Sequence, residues 1–241
     1  MSHHAYFVTG TDTDVGKTRI ACALLHLARA RGLSTAAGKP LASGAERYAE
    51  GLRNDDAMAL AAECRPSLPY VMVNPFTFAP AIAPHIAARE AGAALSLPAV
   101  AAPMRELLAQ RADFSLIEGA GGWRVPIDDR HTLANLAQTL DLDVILVVGV
   151  RLGALNHARL SFEAIEADGL RVAGWVANLV DPGMACAPQA SRLDANLASL
   201  AHWLPAPCLG VVPHLDAPTP AAVAAHLTLT PLIEASPRRA E

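Results

Sequence analysis

Phe7-Val8-Thr9-Gly10-Thr11-Asp12-Thr13-Asp14-Val15-Gly16-Lys17-Thr18 decides how the rest of this 241-residue chain reads. A short apolar run over 5–9 ends at a glycine, a loop with a second glycine follows, and an amphipathic segment opens at Lys17. That segment puts Ile20, Leu24 and Leu27 on one face and meets Gly32 as a stop, so the pattern predicts a helix over 17–31. Strand, glycine loop and helix in this order turn backbone N–H groups and the positive end of a helix dipole toward one point, which suits a phosphate. Lys17 is placed to reach the β- and γ-phosphates of a nucleotide, and the Thr18 hydroxyl to help hold Mg2+. Five residues separate Gly10 from Gly16, one more than the usual loop carries. The loop by itself states phosphate binding and leaves open what the phosphate is used for.

Outward from the loop, strand-like and helix-like segments alternate along the chain. Strands are predicted over 33–38, 114–117, 144–148, 172–177 and 209–212, and helices over 54–63, 101–111, 132–140 and 156–167. Near-continuous apolar strands separated by helices indicate an α/β fold: a single P-loop domain over 1–241, with a mostly parallel central sheet covered by helices on both faces. The Pro-, Ala- and Gly-rich stretch 180–189 reads as a flexible surface loop and 236–241 as a tail.

Composition removes several classes. Hydrophobic residues make up 52% of the chain and charged ones 17%, a globular balance. No apolar run approaches the about 20 residues of a membrane span, and the N-terminus carries no signal-like segment. A net charge of −4 gives no reason to expect nucleic acid or an anionic membrane surface. Cys22, Cys64, Cys186 and Cys208 form no CxxC pair, so they read as reduced thiols of a cytoplasmic protein and not as a disulfide framework or zinc site.

A magnesium ion beside such a loop needs carboxylates as well as the threonine. Glu118 ends the buried run 114–117 and precedes Gly119-Ala120-Gly121-Gly122, glycines that let the backbone approach phosphates closely. Asp55 and Asp56 open a helix, where on residues alone they read as an N-cap and first-turn charge ahead of metal ligands, and spacing does not choose between them. Gly38-Lys39-Pro40-Leu41-Ala42-Ser43-Gly44 sits where the second strand ends, the edge at which parallel sheets collect ligands. A lysine there neutralises a transferring phosphoryl group or an anionic substrate, or else is a solvated lysine beside a turn.

The ordered set formed by the phosphate loop, 39–44, 51–57, Val73-Asn74-Pro75, Pro84-His85-Ile86, 118–122, 149–157 and Gly174-Trp175-Val176-Ala177-Asn178 resembles the dethiobiotin synthetase family over roughly residues 5–215. The resemblance implies an ATP- and Mg2+-dependent cyclo-ligase of biotin synthesis. It would close the ureido ring of dethiobiotin from 7,8-diaminopelargonate and CO2 (or bicarbonate) through a phosphorylated carbamate, releasing ADP and phosphate. It implies catalytic roles for Lys17 and Lys39, and favours Asp56 over Asp55, so that Thr18, Asp56 and Glu118 hold the metal. Thr13 and Ser43 match positions that bind the carbamate and diamine end. Asp14, Val15, Gly16, Lys17, Thr18 and Arg19 match the phosphate contacts, with Asp56, Glu118, Gly119, Ala120 and Gly121 beside them. Asn178 and Leu179 match the adenine contacts, and Pro213, His214 and Leu215 the lining of the base pocket. The family is a homodimer with active sites near the interface, so Gly153 and Asn156 would meet the substrate's carboxylate tail from the partner subunit; on residues alone Asn156 reads as an ordinary N-cap.

The chain departs from that family pattern at three places. Asp14 stands where a glutamate is common, the 180–201 region is longer than expected, and a tyrosine associated with the substrate tail has no clear counterpart. A rival reading is a partner-regulated ATPase of the MinD or ParA kind, which usually carries a signature lysine directly after the loop's first glycine. Thr11 occupies that position here. An amidotransferase-linked synthetase is the other rival, with no glutaminase portion in the chain to support it.

Overall fold

The computed structural model describes residues 3–181 and 190–234. Strand β1 (His4–Gly10) leads through the glycine loop into helix α1 (Lys17–Ala30), followed by β2 (Thr35–Gly38), β3 (Leu41–Ala42), the hairpin of β4 (Glu46–Tyr48) and β5 (Gly51–Arg53), α2 (Asp55–Ala62) and α3 (Tyr70–Val73). Then come β6 (Phe76–Thr77), α4 (Pro84–Glu90), α5 (Leu97–Ala109), β7 (Phe114–Gly122), α6 (Leu133–Thr139), β8 (Asp143–Val150) and α7 (Ala154–Ala167). After these lie β9 (Val172–Leu179), α8 (Ala190–Trp203), β10 (Cys208–Val212), α9 (Pro220–Ala224) and α10 (Thr230–Ile233).

Six strands make one parallel sheet in the order β10-β9-β8-β1-β7-β2. The α/β class and the helix-covered parallel sheet expected from the apolar runs are therefore present. Side-chain alternation along β1 shows how both faces are filled. Phe7 joins the core that contains Ile117, Leu146, Trp175 and α5 residues, while Tyr6 and Val8 join the opposite core with Leu116, Val147 and α1 residues. Each such Val, Leu, Ile or Phe contributes about 1.5–3 kcal/mol when fully buried, which explains why strands apolar on both faces sit at the centre. Because all six strands run one way, their carboxyl ends lie along a single edge, and the loops after β1, β2, β7, β8, β9 and β10 converge there.

Several boundaries differ from the sequence expectation. Glu118 does not end its strand: β7 runs on to Gly122, and after a register shift Gly10 pairs with Gly122. The glycines permit this, since a Cβ on Gly119 would meet the Phe7 ring at 3.1 Å. Helix α5 starts four residues early, with the Ser96 hydroxyl accepting from Ala99 N and Pro98 in the first turn. Helix α7 starts at Ala154 behind a left-handed Gly153 (φ 92°), so Asn156 lies inside the first turn and is not an N-cap. Part of the 180–201 region is helix α8, while the predicted loop falls mostly, and the tail wholly, outside the described residues. Among the described residues no helix is long and apolar enough to cross a membrane, and Cys22, Cys64 and Cys208 are free thiols. Cys186 lies outside the described residues.

Tyr6 ties the central strand to α10 by donating its hydroxyl to the Leu232 carbonyl. Burial, first, and the nearby Asp143 carboxylate push the phenol up to about 12, against the pull of Arg171. The unfolded phenol loses its proton near pH 10 while the folded one keeps it, so above that pH the unfolded state binds fewer protons and stability falls with rising pH. Thermal unfolding between pH 9.5 and 12 is expected to show a steeper loss for the parent protein than for Tyr6→Phe. Parallel curves for the two proteins would remove Tyr6 as the source.

Candidate active site

Helix α1 begins without a side-chain N-cap and without an acidic residue in its first turn. Its first N–H groups thus have no carboxylate or hydroxyl of the chain to satisfy them, the condition under which a helix end takes an anion. The loop before it bends through Asp14 and Gly16, both left-handed (φ 57° and 90°). Two neighbours fix this bend. A Cβ on Gly16 would lie 2.3 Å from the Asn178 amide nitrogen, which donates to the Val15 carbonyl at 2.8 Å. Val15 in turn packs so close to β8 that a Cβ on Gly149 would sit 2.6 Å from its methyl group. Where a MinD-like protein would carry its signature lysine, the Thr11 hydroxyl accepts from Gly149 N at 3.2 Å and anchors the loop to β8.

Lys17 is buried, with Nζ donating to the Asp12 carbonyl at 2.8 Å across the loop. Burial lowers its ammonium from the ordinary lysine value, with Glu118 pulling the other way. Lys39 is 4% exposed and donates to Glu118 at 2.6 Å and to Asp56 at 2.9 Å. Burial alone would lower its ammonium, but the two carboxylates and their hydrogen bonds hold it above the ordinary value. Burial likewise works to raise Asp56, and the Lys39 charge overcomes this and keeps the carboxyl below the usual range. The Lys39 ammonium is therefore a fixed positive charge. The structure removes the solvated-turn reading of this residue.

Thr18 donates to Glu118 Oε1 at 2.8 Å. Glu118 is 1% exposed, and its Oε2 is buried without a hydrogen-bond partner. A hydroxyl and two carboxylates, one of them with an oxygen that has no partner, form an all-oxygen set beside the phosphate loop. This donor chemistry fits Mg2+, which takes one or two carboxylates and leaves its other positions to water and phosphate oxygens. Helix α2 supplies Asp56 from its first turn, with Asn54 as N-cap accepting from Ala57 N. Acids at that helix end favour a cation, the reverse of the bare end of α1.

These groups line a cleft of about 1070 Å3 along the carboxyl edge of the sheet. The cleft brings together Thr13, Asp14, Gly16, Lys17, Thr18 and Arg19 with Lys39, Ser43, Asp56 and Glu118. Ala120 and Gly121 form one wall, and Asn178, Leu179, Pro213, His214 and Leu215 the far end. Val15 and Gly119 lie behind this lining, in the core and against Phe7. Gly153 and Asn156 do not line the cleft of their own chain. They sit at the start of α7, beside Leu152, which is 99% exposed, and Arg151, which pairs with Asp12 of the phosphate loop at 2.6 Å. Asn54, Ala42, Val125 and the segment 81–84 also line the cleft. Sequence reasoning did not name them as site residues, although Ala42, Asn54 and Pro84 fall inside its quoted motifs, because their separations along the chain carry no fixed spacing.

A family model described as an AAA domain matches residues 4–222. The chain is 63% identical over 228 residues to the ATP-dependent dethiobiotin synthetase of Pseudomonas paraeruginosa, covering 95% of this chain and 97% of the relative. It is 59% identical to the enzyme of that name from Chromohalobacter salexigens, over 89% of this chain and 92% of the relative. Against the Xylella fastidiosa relative the identity is 47%, over 94% and 98%. Among solved structures, the MinC:MinD cell division complex of Aquifex aeolicus is similar with a TM-score of 0.53 at 15% identity, covering 88% of this chain and 82% of that one. The signal recognition particle 54 kDa protein of Aeropyrum pernix, in complex with GDP, is similar with a TM-score of 0.52 at 15% identity, over 97% of this chain and 46% of that one. At that identity the two structures share the fold alone.

Proposed function

We propose, from the premise that this chain belongs to the dethiobiotin synthetase family of ATP-dependent ligases, that its cleft activates a carbamate with ATP and closes it into a cyclic urea. The observation that carries the reading is the buried Lys39 ammonium, fixed by Glu118 and Asp56 beside the phosphate loop. Phosphate binding alone needs Lys17 and the loop; a second immobile cation answers the particular difficulty of moving a phosphoryl group onto an anion.

The chemistry follows from the substrates. One amine of 7,8-diaminopelargonate adds to CO2 and loses a proton, giving a carbamate anion. A carbamate is a poor electrophile, so its oxygen takes the γ-phosphoryl group as the bond to ADP breaks. The second amine then attacks the carbonyl carbon, phosphate leaves, and the ring closes with loss of a further proton. Lys17 holds the β- and γ-phosphates, and Lys39 offsets the repulsion between carbamate and phosphoryl oxygens. Thr13 and Ser43 orient the diamine end, and the Asn178 and 213–215 end of the cleft takes the adenine. Thr18, Asp56 and Glu118 hold Mg2+, which when bound neutralises phosphate charge. Closure itself needs positioning, and correct placement of two reacting groups is worth up to about 7–11 kcal/mol. A second copy of the chain supplies Gly153 and Asn156 to the substrate tail, the bare and left-handed start of α7 offering N–H groups to a carboxylate.

Incubation with ATP, Mg2+, bicarbonate and 7,8-diaminopelargonate tests the proposal. Phosphate release that requires the diamine, with a cyclic urea of the expected mass, is the predicted result. Release indifferent to the diamine, with no cyclic product, would discard it.

A further inference from the structure

Lys39 and Asp56 lie on different elements, yet their ion pair must be set to a fraction of an ångström for the cleft to work. The residues that set it lie outside the cleft. Val73 and Asn74 grip both backbone groups of Lys39: its N–H donates to the Val73 carbonyl at 2.7 Å, and its carbonyl accepts from Asn74 Nδ2 at 2.6 Å. Immediately beyond, β3 pairs with β6 in the register Leu41 to Phe76 and Ala42 to Thr77, so the strand leading to Ser43 rides on the same segment.

Asn74 is 2% exposed and its amide is bonded at both ends. Besides Lys39, Nδ2 donates to the Phe76 carbonyl at 3.3 Å, while Oδ1 accepts from Thr77 Oγ1 at 2.6 Å and from the Tyr70 hydroxyl at 2.9 Å. The Tyr70 hydroxyl accepts from Asn54 N at 2.8 Å. Asn54 caps α2, two residues before Asp56, and its amide nitrogen reaches the Ser43 carbonyl at 3.2 Å. The bonds form a closed path from Lys39 through Asn74, Tyr70 and Asn54 back to Ser43. Buried amides with every valence used are stiff, since any shift breaks several bonds that water cannot replace.

We propose that Asn74 and Tyr70 are positioning residues for the reaction: their hydrogen bonds set the Lys39–Ser43 segment against α2, and so fix Lys39 and Ser43 relative to Asp56. The proposal rests on the ring-closure reading for its kinetic consequence, though not for its geometric one. Neither residue lines the cleft. Tyr70→Phe removes one oxygen and keeps the ring that stacks under Arg53. Asn74→Ala removes all four side-chain bonds.

The test compares parent, Tyr70→Phe and Asn74→Ala by steady-state kinetics, ATP affinity, thermal unfolding and crystal structures. For Tyr70→Phe, kcat for diamine-dependent phosphate release is expected to fall roughly ten- to a hundredfold, the scale of a small misplacement at a reacting centre. ATP affinity should stay within about twofold and the melting temperature within about 3 °C. In its crystals the segment carrying Lys39 should be displaced against α2, and more so in Asn74→Ala if that variant folds. An unchanged kcat per folded molecule, or a loss that follows the folded fraction, would reduce the network to scaffold and overturn the proposal. Should the parent make no cyclic urea, the ring-closure reading fails, and the crystal comparison alone decides positioning: an unmoved segment refutes it.

Discussion

Lys39→Ala should slow diamine-dependent phosphate release by about a hundred- to a thousandfold, the scale of losing one preorganised charge at a transferring group, while ATP affinity falls only severalfold. The asymmetry follows from the division of labour in the cleft. Lys17, the loop N–H groups and the uncapped start of α1 all remain in the variant, and in the proposed reading these hold the nucleotide. Lys39 instead pairs with the carboxylates in the same cleft, on the side where the proposal places the diamine. The variant should also lose stability in metal-free buffer, because Glu118 is left buried with the Thr18 hydroxyl on one oxygen and no partner on the other. Removing one member of a buried pair costs about 3–5 kcal/mol in general. Asp56, with a side chain 49% exposed, recovers water and softens the loss. Titration calorimetry with ATP and scanning calorimetry check the two halves separately, and Lys39→Met keeps the aliphatic volume while removing only the charge. A loss of ATP affinity as severe as in Lys17→Ala would move Lys39 from catalysis into the phosphate cradle.

The second large effect is expected at Gly16. Alanine there would have to hold φ near 90°, a left-handed conformation costing an L residue about 1–2 kcal/mol. Its Cβ would also lie 2.3 Å from the Asn178 amide, so Asn178 must swing away and release the Val15 carbonyl. That second loss adds about 1 kcal/mol. Both fall on the loop whose shape binds phosphate, so ATP affinity should drop roughly a hundredfold, each 1.4 kcal/mol being tenfold. The sheet should be left folded, as the far-ultraviolet circular dichroism would record. Gly16→Ala in an Asn178→Ala background, read against Asn178→Ala alone, separates the causes: with no amide to clash, the remaining loss is the backbone strain. Full ATP affinity in the single variant would show that the loop can bind phosphate in another conformation.

Local chemistry made much of this legible beforehand. The phosphate loop was readable because strand, glycines, Lys17 and Thr18 are contiguous, and the six apolar runs of the central sheet because period and composition are local properties. Glu118 was found as an acid after a buried run, although its strand proved longer: pairing of Gly122 with Gly10 is a tertiary event. Asp55 and Asp56 could not be separated on spacing. The structure places Asp56 against Lys39. Asn178 matched the adenine contacts only through the family resemblance, and in the fold it also braces the phosphate loop, a contact of 163 positions' separation.

The sequence by itself determined the parallel α/β architecture, the glycine loop leading into α1 and the family of the chain, because each rests on residues adjacent along the backbone or on an ordered set of short motifs. Only the tertiary structure decided that Lys39 is a buried, doubly paired cation and not a solvated turn residue, that Glu118 keeps one oxygen without a partner, and that Asn74 and Tyr70 hold the two walls of the cleft together. The reason is physical. Burial and electrostatic pairing depend on distances through space, and strands far apart in sequence become neighbours only when the sheet forms.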